Sequence, residues 1–165
     1  MDTSILVPQI NQIDRTSGNS YLRLDLDRQT PAILAMEHTQ EVLVVPTRRI
    51  TPMPNMAECV LGLLNWRNRV LWVIDLPQML KVQPLDTAAQ QYHIAIIRVR
   101  QVLLALVVQE VKGVTQFIPD CIQSPTGLVP SSLTPYLHGC IQQQNELLLV
   151  LNTEAIVHSS VLHSD

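Results

Sequence analysis

From Tyr21 the chain alternates with period two. Leu22, Leu24 and Leu26 fall on one side and Arg23, Asp25 and Asp27 on the other, the pattern of a strand with one face in a core. Residues 32–36 and 42–45 predict two more strands, the second closed by Pro46. Pro52 and Pro54 lack the N–H that a sheet ladder needs, so that stretch is a loop. Apolar Met56, Val60, Leu63 and Leu64 predict a short helical turn. Residues 70–76 give the next strand, and Pro84 with Asp86 marks a break. Residues 93–99 and 102–108 predict a hairpin of two well-buried strands. Its tight link, Arg100-Gln101, lacks the Gly or Asn that such turns favour.

Residues 111–118 form another predicted strand, followed by a long ordered loop over 121–135 with three prolines. Residues 147–151 are the last strand, and Asn152 is placed to cap a short terminal helix holding Ala155, Ile156 and Val157. Residues 1–20 read as a flexible N-terminal tail with an apolar patch at Ile5-Leu6-Val7-Pro8, and residues 159–165 as a C-terminal tail. Eight or nine short strands with turn signals between them define an all-β fold, a barrel or a sandwich. Both halves share one rhythm of strands, a proline-rich loop, a glycine and a strand. Two small barrels, divided near residues 85–92, fit that rhythm.

Composition narrows the function. The 165 residues are 47% hydrophobic and 15% charged, a length for one domain and a composition that excludes disorder. A net charge of −3 lacks the concentrated basic footprint of a nucleic-acid binder. No apolar run approaches the roughly 18 residues of a membrane span. Asp2 follows Met1 with no basic flank, which argues against a signal peptide. Cys59, Cys121 and Cys140 are odd in number and irregularly spaced, as in a reduced, cytoplasmic compartment.

Catalytic chemistry finds little to build on. The five glycines stand alone and form no phosphate-cradling loop. His38, His93, His138, His158 and His163 show no metal-ligand spacing. No Gly-x-Ser-x-Gly elbow occurs. Tyr136, His138 and Cys140 allow an alternative, a small-ligand barrel or hydrolase, if their side chains converge in a deep cleft. Of the two tryptophans, Trp72 sits in an apolar strand and reads as core, whereas Trp66 reads as partly exposed beside Arg67 and Arg69. Trp and Arg are the residue types enriched at interface hot spots.

Several motifs together carry a resemblance. Ile50-Thr51-Pro52-Met53-Pro54, then Val60-Leu61-Gly62-Leu63-Leu64-Asn65-Trp66-Arg67-Asn68, then Val70-Leu71-Trp72-Val73-Ile74-Asp75-Leu76 resemble the central block of CheW-like coupling proteins. Glu41-Val42 upstream, residues 105–111, Tyr136-Leu137-His138-Gly139 and residues 148–156 continue the match, which covers about residues 21–158. The resemblance implies a single domain of two intertwined, five-stranded SH3-like β-barrels sharing a hydrophobic core. It also implies a non-catalytic adaptor, without cofactor or metal. Such an adaptor links the cytoplasmic tip of a methyl-accepting receptor to the regulatory domain of a CheA-type histidine kinase, in the cytoplasm at membrane-bound receptor arrays.

Carried over by position, Arg67 matches the family's Asn-Leu-Arg-Gly arginine and Glu41 the acid that pairs with it. Met36, Val42 and Val107 are candidates to line a receptor groove between the barrels, and Arg67, Arg69 and Val70 candidates for the kinase contact. Trp66 replaces the family's Leu, Asn68 its Gly, and Gln109 its Asp; Pro77 stands where Arg is common. Asn tolerates the left-handed backbone that Gly supplies. The departures suggest a divergent paralogue, of the kind that could serve pilus-linked motility, or a scaffold that has lost kinase binding.

Overall fold

The computed structural model describes residues 18–83, 85 and 89–163. Strands β1 (Asn19–Asp27) and β2 (Thr30–Ala35) pair as a hairpin, and a 3-10 turn at Met36–His38 leads into β3 (Thr39–Pro46). A second hairpin, β4 (Val60–Trp66) and β5 (Arg69–Asp75), runs into helix α1 (Leu76–Met79). Then come β6 (Gln91–Val99), β7 (Val102–Val108), β8 (Glu110–Phe117), β9 (Leu137–Gln143) and β10 (Glu146–Leu151), closed by α2 (Thr153–Val157) and α3 (Ser160–His163).

The strands make two five-stranded sheets, ordered β8-β1-β2-β10-β9 and β3-β6-β7-β5-β4. The second sheet is one uninterrupted stretch of chain; the first takes its strands from both ends. Residues 85–92 therefore do not divide the two units, because they lead from β5 and α1 to β6 of the same sheet. The changeovers fall at β2 to β3 and at β7 to β8.

Side-chain alternation explains the long apolar runs. In β6, Ala95, Ile97 and Val99 enter a large cluster between the sheets, while Ile94 and Ile96 enter a cluster of the second sheet alone. In β7, Leu104, Leu106 and Val108 face the shared cluster, and Ala105 and Val107 the private one. The first sheet repeats this: Leu22, Leu24, Leu34, Leu149 and Leu151 join the shared cluster, and Tyr21, Ile33, Leu148 and Val150 a private one. Each sheet thus curls around its own core and leans on a common one. Strands buried on both faces read as continuous hydrophobic runs.

Several expectations need correction. Residues 60–66 are strand β4 rather than a helical turn, and Met36 belongs to the 3-10 turn after β2. Trp72 is 36% exposed, not core, because on its face of β5 the shared cluster starts only two residues later, at Ile74. Strand β9 stood outside the predicted set. Asn19 and Ser20 already belong to β1, and residues 160–163 are helical; the rest of the expected N-terminal tail, residues 1–17, lies outside the described residues.

The rhythm of the two halves proves structural. In each sheet three antiparallel strands join a hairpin through one parallel pair, β2 with β10 and β7 with β5. Each hairpin opens beside a glycine, Gly62 in β4 and Gly139 in β9. There the preceding loop adds a bridge, Thr51 to Leu63 and Gln123 to Cys140. Each hairpin leads directly into a residue that caps a short helix, Asp75 at the end of β5 and Asn152 just after β10. Asp75 accepts from the Gln78 N–H, and Asn152, equally spaced from its glycine, accepts from the Ala155 N–H.

Burial lifts the Asp75 carboxyl above its ordinary range, against the lowering effect of the Gln78 N–H. A carboxylate with a raised native pKa contributes its stability fully below the unfolded pKa and loses it as pH rises through the native one. Asp75→Asn keeps the cap and removes the buried charge, so at neutral pH it should be neutral or stabilising. Asp75→Ala should cost about 1 kcal/mol by losing the cap. Urea titrations at pH 4 and pH 7 check both; an Asn variant less stable than wild type at pH 7 by the Ala margin would overturn the account.

Candidate functional site

The outermost strands place two features side by side. Strands β3 and β8 are edges of different sheets, and between them runs a groove of about 790 Å³. Val42 and Val44 on β3 and Val111 and Val114 on β8 line its walls, with Met36, Leu22 and His93 among the other lining residues. Val42 and Val44 are 41% and 51% exposed. Lys112 crosses one wall, 3.3 Å from Glu110 and 3.7 Å from Asp25. Burial pushes the Asp25 carboxyl up, and Lys112 offsets part of that.

Met36 and Val42, expected in such a groove, line it together with Glu41. Val107, the third candidate, does not: it is 0% exposed in the private cluster of the second sheet, where the alternation of β7 turns it inward. Val44, Val111 and Val114 escaped the sequence. In the run Val42-Leu43-Val44-Val45 every residue is apolar, so nothing marks β3 as an edge with one face in solvent.

At the groove's end Glu41 links the two edges of the second sheet, β3 and β4. Its Oε1 lies 2.9 Å from Arg67 Nη2 and accepts at 3.0 Å from the Trp66 indole N–H. The Arg67 guanidinium also sits 5.1 Å from the Trp66 ring centroid. Arg67 and Asn68 are the two central residues of the β4–β5 turn, at φ +49° and +63°, the turn class that requires positive φ at both positions. Asn68 suits it; Arg67 is held there at about 1–2 kcal/mol of backbone cost. With the Arg67 side chain 71% exposed, the ion pair itself adds at most about 1 kcal/mol. What the triad does is orient: it fixes an arginine and a tryptophan at one barrel mouth. Arg69 and Val70 follow at once, exposed, with Val70 at 60%.

The residues of the alternative reading do not converge. A register shift in β9 against β10 falls between Leu137 and Gly139, so His138 turns to solvent while Cys140 is fully buried. Burial raises the Cys140 thiol, the reverse of what a nucleophile needs. Tyr136 Oη pairs with Ser159 Oγ at 2.8 Å. Among the described residues no group of His, Cys, Asp or Glu could hold a metal ion, and no helix is long and apolar enough to cross a membrane.

A double barrel with an apolar groove between sheet edges and a braced arginine at one mouth is a protein-binding scaffold. The chain belongs to the CheW-like domain family, which matches residues 20–161 and whose members are non-catalytic scaffolds. It is 27% identical over 117 residues to the protein PilI of Pseudomonas aeruginosa, covering 71% of this chain and 64% of that one. The chain thus spans just under two thirds of that relative. It is 30% identical over 108 residues to a probable chemotaxis protein CheW of Rhizobium etli, covering 64% and 68%. Its fold matches the scaffolding protein TtCheW of Thermoanaerobacter tengcongensis with a TM-score of 0.71 at 19% identity, over 82% of this chain and 89% of that one.

Proposed function

We propose that this chain couples a methyl-accepting receptor to a CheA-type histidine kinase in a chemotaxis or pilus-linked motility array. It acts in the cytoplasm, recruited to receptors at the membrane. The observation that carries the reading is the groove between β3 and β8, apolar and exposed between two unpaired sheet edges. A receptor-tip helix, about 10–12 Å across, lies in such a groove through aliphatic anchors. The kinase regulatory domain takes the barrel mouth at Arg67, Arg69 and Val70. The similarity to PilI favours the pilus-linked setting, and the similarity to a probable CheW the chemotactic one.

Two substitutions separate the surfaces. Val42→Glu places a charge in the groove and should weaken binding of a receptor-tip fragment at least tenfold while kinase binding stays within twofold. Arg67→Glu should do the opposite. Calorimetric titration measures both, with thermal melts confirming that each variant is folded. If folded Val42→Glu binds the receptor fragment like wild type, the groove assignment fails; if folded Arg67→Glu binds the kinase domain like wild type, the mouth assignment fails.

A further inference from the structure

At the mouth of the second barrel Arg67 pairs with Glu41 and, in the β6–β7 turn, Arg100 lies 3.9 Å from Glu154, while two further arginines, Arg69 and Arg98, have no ion pair among the described residues. Strand alternation places one residue beyond the private core on each of four strands. Glu41 precedes Leu43 by two on β3, and Trp66 ends β4 opposite Arg69. Arg69 precedes Leu71 by two on β5, and Arg98 follows Ile96 by two on β6. Residues two apart on a strand share a face, so all four point toward one opening, where Leu43, Trp66 and Leu103 pack on the private cluster. Arg67 is taken by Glu41. Arg69 has no carboxylate partner among the described residues, and Arg98 only donates its Nε–H to the Arg100 carbonyl at 2.9 Å. Both are exposed, in a chain whose net charge is −3.

We propose that this mouth is a socket for an acidic segment of a protein partner, with Arg69 and Arg98 as its carboxylate receptors and Trp66 as its apolar wall. Resting on the reading above, that partner is the kinase regulatory domain. Arg98 is the new element: it comes from the β6–β7 hairpin, remote in sequence from the Asn65–Asn68 motif. Guanidinium forks match carboxylates in a way a lysine does not. Trp66 is already fixed by Glu41 and Arg67, so little side-chain freedom is lost when a partner docks. Two unmatched positive charges at the rim steer an acidic partner, a contribution that salt screens.

The test has two arms. Titration with the purified kinase regulatory domain at 50 and 300 mM salt should show binding that weakens with salt. Arg69→Glu/Arg98→Glu should lose at least tenfold at low salt and flatten the salt dependence, whereas Arg28→Glu, in the exposed β1–β2 turn, should stay within twofold. In the second arm a peptide alternating glutamate and leucine is added to isotope-labelled protein, and the Trp66 indole and the Arg69 and Arg98 Nε–H signals should shift. Wild-type binding that the double variant keeps overturns the socket and leaves the kinase reading intact. Peptide shifts without any kinase binding overturn the kinase reading and support the socket. No shifts at these three groups, or equal shifts with a lysine–leucine peptide, overturn the socket whatever the kinase does.

Discussion

Gly62→Ala is expected to cost about 3–5 kcal/mol and to leave little folded protein at physiological temperature. Two independent penalties meet there. Gly62 lies at φ +144°, where side chains are rarely tolerated, and a Cβ would stand 2.1 Å from the Thr51 carbonyl oxygen. Left-handed or otherwise strained backbone costs about 1–3 kcal/mol, and overpacking against atoms that cannot yield a further 1–3 kcal/mol. The obstacle is backbone: the Thr51 loop is locked to β4 by reciprocal hydrogen bonds with Leu63, both 2.9 Å. Against a total stability of about 5–15 kcal/mol that is a large fraction.

The other glycines separate the two penalties. Gly139 has no left-handed φ, but its Cβ would meet the Gln123 oxygen at 2.5 Å, so alanine there should cost about 2 kcal/mol from crowding alone. Gly113 is at φ +131° with nothing within 4 Å, so alanine there should cost about 1–2 kcal/mol from conformation alone. Urea midpoints at constant m-value should rank the losses Gly62, Gly139, Gly113. A Gly62→Ala variant no less stable than Gly113→Ala would mean that the Thr51 contact does not constrain the site.

How much of this was legible depends on what each residue faces. The period-two signal of β1 is clean because its Arg23 and Asp25 face is polar, and Asn152 is visible as a cap because short polar side chains before a helix have few other uses. The Glu41–Arg67 pair came from motif resemblance, since residues so far apart carry no local signal of contact. Strand β4 was hidden because Gly62 and the proline loop before it look like a breaker. The structure uses that glycine to let another backbone approach. Arg98 was invisible as a site residue because its role arises from the pairing of β6 with β7 and of β5 with β7. Sheet order, set by long-range packing, decides which exposed residues become neighbours.

The same packing predicts that the two barrels unfold as one cooperative unit, and Leu106→Ala tests it. Leu106 is 1% exposed in the cluster between the sheets, so truncation should cost about 3–4 kcal/mol in lost burial and cavity. Its neighbours on β7, Ala105 and Val107, sit in the private core of the second barrel. A defect on one face of that strand therefore reaches both cores through a single backbone. Both tryptophans lie in the second sheet, whereas far-ultraviolet circular dichroism reports strands of both. In wild type, Leu106→Ala and Ile96→Ala alike, the fluorescence and dichroism transitions should coincide. If the fluorescence transition of Leu106→Ala precedes the dichroism transition, the barrels unfold separately and the shared cluster is a contact between two domains. Coincidence means that the first sheet lacks enough apolar surface on its private side to stand alone. That follows from the cluster sizes: among the described residues the private core of the first barrel has five buried side chains, Tyr21, Ile33, Ile141, Leu148 and Val150, too few to offset the entropy of ordering five strands.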